Sequence, residues 1–160
     1  MEIYRFSVSY DRLALGLTAF AWALILGIAA LLLFLAPSLP LLLLLAGLIV
    51  AILVLPALYA PIGYELRGGE LRILRPIGAV KIPVKDVVKV KRLSLKSRFG
   101  LRLWASGGLY GYFGLFWIKD LGKCWFYATR RKDLILIETR KKRYVISPRD
   151  VEKFLGLFRL

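Results

Sequence analysis

The residue types that usually perform chemistry are sparse in this sequence. Histidine is absent, so no imidazole serves as general base or metal ligand. Cys124 is the single cysteine. Alone it forms neither a disulfide framework nor a cysteine-based metal site, and no neighbouring base activates it. Glu65 and Glu70 flank one turn and the other carboxylates are scattered, so none is spaced for acid–base or metal work. The pattern argues against an enzyme and calls for no cofactor and no metal.

What remains is basic and aromatic. Lys85, Lys89, Lys91, Arg92, Lys96, Arg98 and Arg102 form one cluster. Arg130, Arg131, Lys132 and the run Arg140 to Arg143 form another. Near an anionic leaflet each such residue contributes about 1 kcal/mol of attraction. The alternative is solvated edges and turns that resist edge-to-edge aggregation. If the turns at 130–133 and 140–143 lie at opposite ends of the sheet, both cannot face the membrane. A glycine and aromatic stretch, 103–114, offers Trp104, Tyr110, Tyr112 and Phe113. It reads as a long irregular loop, a form that is usually functional or mobile. Its aromatics suit anchoring at a bilayer interface or in a partner, or equally filling a sheet interior. No Gly-Lys-Ser/Thr ending marks a phosphate loop.

The elements that position these residues begin with Leu13 to Pro61, which holds no Asp, Glu, Lys, Arg or His. Pro37-Ser38-Leu39-Pro40 divides it. As helices, Leu13 to Ala36 is about 36 Å long and Leu41 to Ala60 about 30 Å, against a hydrocarbon core of about 30 Å. Residues 13–61 therefore read as a transmembrane hairpin with spans at 13–36 and 41–60. Within the spans Thr18 is the one polar side chain before Tyr59, too little for transport. Pro56 is expected to kink the second span, and Gly16, Ala19 and Ala23 to pack within the hairpin. The first span is too long, and Ala36-Pro37-Ser38 too poor a cleavage site, for a signal peptide. The formal charge of +15 lies wholly in residues 62–160. The positive-inside rule then puts both termini in the cytoplasm and the chain in the plasma membrane.

Residues 1–12 form a cytoplasmic segment in which Tyr4, Phe6, Val8 and Tyr10 alternate with Arg5, Ser7, Ser9 and Asp11. That period of two predicts a strand over 3–9 that adds to the C-terminal domain, or else an interfacial segment. Residues 62–160 read as about seven short antiparallel strands. Gly68-Gly69 suits a two-residue turn, and Pro83 marks an edge or an end. Ser147 as cap and Pro148 at the first position predict a helix over 148–158, with Val151, Phe154, Leu155 and Phe158 on one face. The lack of Asn and Gln beside many Lys, Arg and Glu is a thermophile tendency.

Several pieces then fall into a known order: Tyr64-Glu65-Leu66 with Leu71-Arg72-Ile73, Ile82-Pro83 before Asp86-Val87, Gly107-Gly108, Gly111-Tyr112, Gly114-Leu115-Phe116, Tyr127-Ala128-Thr129, and Tyr144 to Pro148 before Phe154. With them, residues 64–158 resemble the bacterial pleckstrin-homology-like (PH-like) domains found behind one or two N-terminal spans. The resemblance implies a seven-stranded bent sheet, or partly open barrel, capped by a C-terminal helix. It implies no activity, and lipid recognition does not follow from the fold. The expected function is a membrane-anchored interaction or scaffolding module that binds a protein partner and anionic headgroups. Its contact residues are expected among Lys89, Lys91, Arg92, Lys96, Arg98, Arg102, Trp104, Tyr110, Tyr112 and Phe113. A structural subunit of a larger membrane complex is the alternative. Homo-oligomerisation stays open. Nucleic acid ranks last, because charge alone binds it only non-specifically.

Overall fold

A computed structural model describes residues 3–35, 38–94, 101–119 and 121–158. Helix α1 runs Arg12–Leu35. Asp11 caps it: its Oδ1 accepts the Ala14 N–H at 2.7 Å, which satisfies one of the orphan donors of the first turn. Helix α2 runs Leu39–Ile49, passes through a π-helical stretch at Val50–Val54 and continues as α3, Leu55–Tyr59. The π stretch is the form the expected irregularity takes. Pro56 has no N–H, and its ring crowds the carbonyl four residues back. The ladder widens just before it, so the Leu55 N–H reaches the Val50 carbonyl instead.

Most side chains on both helices are exposed, Phe20, Phe34 and Leu43 among them. Core helices of a soluble protein would bury such residues, and the two fit a membrane-anchored hairpin by length and composition. The expectation for the small residues needs correcting. A Cβ added at Gly16, Gly27 or Gly47 would meet nothing within 4 Å, so these glycines do not seat one helix on the other.

Around this hairpin the β structure is built from both of its ends. Strands β1 (Ile3–Ser7), β2 (Gly63–Arg67), β3 (Glu70–Leu74) and β4 (Ala79–Pro83) form an antiparallel sheet in that order. The first strand precedes the spans and the second follows them. Tyr4 and Phe6 stand beside Leu66 and Tyr64 on the core side, and Arg5 pairs with Glu65 at 3.0 Å on the other. The β2–β3 turn uses Gly68 and Gly69 at φ 60° and 73°, positive values that glycine adopts freely.

One 3₁₀ turn, Val84–Asp86, carries the chain into a second sheet. Its strands are β5 (Val87–Leu93), β6 (Leu101–Gly108), β7 (Gly111–Ile118), β8 (Gly122–Ala128), β9 (Leu134–Thr139) and β10 (Arg143–Ile146), in the order β5-β9-β10-β8-β7-β6. Only β10–β8 is parallel. The expected plan holds: two apolar helices, an unclosed PH-like β fold and a C-terminal helix. Among the described residues the strands number ten, in two sheets. The stretch read as irregular is instead the β6–β7 hairpin. Its glycines disguise it, because Gly108, Gly111 and Gly114 take positive φ at the tip and at a close strand approach.

Phe6, Tyr64 and Ile73 of the first sheet meet Ile135, Ile137 and Ile146 of the second, and Phe154 closes one end with its ring 5.1 Å from that of Phe6. A buried polar chain crosses this core. The Tyr64 hydroxyl donates to the Tyr127 carbonyl at 2.6 Å and accepts the Ser147 N–H at 3.1 Å. Ser147 Oγ accepts the Thr129 N–H at 2.8 Å, and Thr129 Oγ1 donates to the Ser9 carbonyl at 2.7 Å. Burial pushes the Tyr64 phenol up to about 12, against the opposing pull of its Ser147 hydrogen bonds. Ser147 is thereby spent inside the core and caps nothing. Pro148 bridges to Val8, and α4 starts later, at Val151–Gly156, with Asp150 as its N-cap. The expected helix of 148–158 is shorter for that reason.

Candidate membrane-facing site

The β6–β7 hairpin leans on the first apolar helix, α1. The Tyr110 N–H donates to Thr18 Oγ1 at 2.9 Å, and Trp22 Nε1 donates to the Tyr110 hydroxyl at 2.7 Å. Tyr110 itself sits at φ 56°, in the left-handed region that non-glycine residues enter only where surroundings hold them. A Cβ on Gly108 would collide with the Leu17 side chain, so the approach is close. Thr18, the lone polar residue noted above, also donates to the Ala14 carbonyl at 2.7 Å. Strand β6 is an edge, and it exposes Leu101, Leu103 and Trp104, the last 84% exposed. An apolar edge strand is an aggregation hazard in water.

Alternation sends neighbours on β7 to opposite faces. Tyr112 points to the face packed by Ala14, and its hydroxyl donates to Asp11 Oδ2 at 3.3 Å. Phe113 points the other way, into a cavity of about 750 Å³ between the sheet and the end of the second helix. Ala51, Leu55, Pro56 and Tyr59 line it from the helix, and Trp104, Trp125 and Tyr127 from the sheet. Among the described residues that line it, Arg75 is the one formal charge. The guanidinium carbon lies 5.6 Å from the centre of the Tyr59 ring, within cation–π range. Arg75 Nε is buried, with no hydrogen-bond partner among the described residues. A buried donor left so costs about 1–3 kcal/mol. Burial raises the Tyr127 phenol, and the charge of Arg75 opposes that rise.

Against known families, residues 62–159, more than half of the chain, match the bacterial PH domain. The chain belongs to the bacterial PH domain family. Neither the curated proteins nor the solved structures contain a match to it. Membership makes the β region a PH-like interaction module in broad class, in a family that is generally non-catalytic.

Within this bacterial PH domain the sequence-predicted contact residues divide. Lys89, Lys91 and Arg92 lie on β5, at the opposite edge of the six-stranded sheet from β6. Lys91 pairs with Glu138 at 3.2 Å and Arg92 with Glu152 at 2.9 Å. Trp104 and Phe113 line the cavity, Tyr110 holds α1, and Tyr112 is buried on the other face. Arg102 lies on β6. Lys96 and Arg98 lie outside the described residues. The second basic cluster divides too: Arg131 meets Asp11 at 3.5 Å near the start of α1, while Arg143 bonds the Leu121 carbonyl at the far end of the sheet. Sequence reasoning missed Arg75, Tyr59, Trp125 and Tyr127 as a group, because they come from separate elements and no spacing joins them.

Proposed function

We propose that this protein is a membrane-anchored scaffolding module on the cytoplasmic face, which holds its PH domain against the inner leaflet and presents the far end to a protein partner. The bond between Tyr110 and Thr18 carries the reading. Thr18 lies two turns inside an apolar span, so a hairpin bonded to it stands at headgroup depth or below. The exposed Leu101, Leu103 and Trp104 then face lipid and not water. At the far end Lys81, Arg140, Lys141 and Lys142 border a groove of about 390 Å³, with Asp86 as the only acid among its described lining residues, a charge pattern suited to an acidic partner segment.

The test places single cysteines in a Cys124→Ser background of the full chain and labels them with a membrane-impermeant maleimide. In inside-out vesicles Lys141→Cys reacts quickly and Leu103→Cys slowly; in intact spheroplasts neither reacts. Equal labelling of the two in vesicles would put the hairpin in water and end the proposal. The open space beside Gly16, Gly27 and Gly47 favours a second reading, in which the spans pack into a larger complex. A stoichiometric membrane subunit retained in mild detergent would select it.

A further inference from the structure

We propose that the cavity between the second span and β6–β8 is a binding site for one anionic phospholipid of the inner leaflet, with Arg75 taking its phosphate. This rests on the membrane apposition proposed above. The polarity of the cavity runs in one direction. Ala51 and Leu55 lie within the second span, at acyl-chain depth. Tyr59 ends that span, where amphipathic aromatics meet headgroups, and Arg75 lies over its ring. A lipid in the leaflet nearest the domain has the same order along its length, chain first and phosphate last.

The volume is of the size that holds a small ligand, about 300–1,000 Å³, and it accommodates part of a lipid whose other chain stays in the bilayer. Trp104, on the sheet side, supplies apolar wall. Arg75 lines the headgroup end of the cavity, and its Nε has no partner among the described residues; its guanidinium would meet a phosphate oxygen there with a charge-assisted bond. A zwitterionic lipid satisfies the same geometry but brings its own cation beside the guanidinium. Discrimination by headgroup charge follows.

Native mass spectrometry of the full-length protein, released from micelles, tests this. Phosphatidylglycerol, phosphatidylcholine of the same chains, and inorganic phosphate are the probes. Wild type should keep one phosphatidylglycerol and little of the others. Arg75→Ala should weaken that binding about ten- to a hundredfold, the worth of hydrogen bonds to a charged group. Ala51→Phe, which fills the chain end and leaves the charge, should weaken it as well. Lys153→Ala on α4 should change nothing. Equal retention of phosphatidylcholine, or binding unaffected by Arg75→Ala and Ala51→Phe, would overturn the site. Retention of phosphate as strong as that of the lipid would reduce it to an anion site. Circular dichroism separates loss of fold from loss of ligand. Shielding of Leu103→Cys reads the apposition separately. If the cysteine is shielded and no lipid is kept, only the lipid site falls; if it labels freely, both proposals fall.

Discussion

Tyr64 is the residue on which the polar interior turns. Its hydroxyl serves the Tyr127 carbonyl and the Ser147 N–H together, so it ties β2 to β8 and to the end of β10. Tyr64→Phe takes a buried partner from both groups, and it should destabilise the fold by about 1–3 kcal/mol in a denaturant titration in micelles. Alkali offers an independent check. The folded phenol holds its proton up to about 12, whereas an unfolded tyrosine releases it near 10. Unfolding therefore sheds a proton between those values, and the stability due to Tyr64, complete below pH 10, falls as pH rises towards 12. Tyr64→Phe should show a shallower alkaline decline. None of this was legible beforehand. Tyr64 read as one aromatic among many, and Ser147 read as a helix cap, because partners far apart along the chain leave no local pattern.

Among the elements, the β6–β7 hairpin departs most from its sequence reading. The spans were legible because uncharged length needs no tertiary context. Strand β1 was legible because alternation survives in isolation. The hairpin was not, since a glycine carries no side chain to alternate. Gly114 gives the physical reason. It lies at φ 113°, and a Cβ there would strike the Trp104 carbonyl and Ala105. The register shift between Arg102 and Trp104 lies beside it, so the bulge depends on the absence of a side chain. Gly114→Ala should lower stability by about 1–3 kcal/mol, the usual cost of forcing a side chain into such a backbone. It should also speed amide exchange at Tyr110, whose N–H is held by Thr18; exchange at wild-type rate would show that the hairpin does not depend on this glycine.

At the scale of the whole molecule, the family match begins at residue 62, but the β structure does not. Without Ile3–Ser7, β2 has a bare edge and Glu65 loses the Arg5 guanidinium 3.0 Å away. A fragment of residues 62–160 should therefore self-associate, as seen by light scattering. A chain in which a flexible linker replaces the two spans, so that residues 1–11 can pair, should stay monomeric by comparison; equal scattering from both would deny β1 this role. The composition made the two long apolar helices and the basic domain plain. It said nothing of this pairing across the anchor, for which alternation in residues 3–9 was the sole hint.

The β1–β2 ladder also sets an order of events during synthesis. The first strand leaves the ribosome early, and its neighbour follows only after every residue of the greasy pair. With the proposed anchoring, Ile3–Ser7 waits unmatched until both spans have been threaded and the chain has returned. Completion of the sheet then reports that insertion is finished, and it ties the two ends of the anchor together like a closed clasp. Pulling either span from the bilayer afterwards would first have to open that clasp.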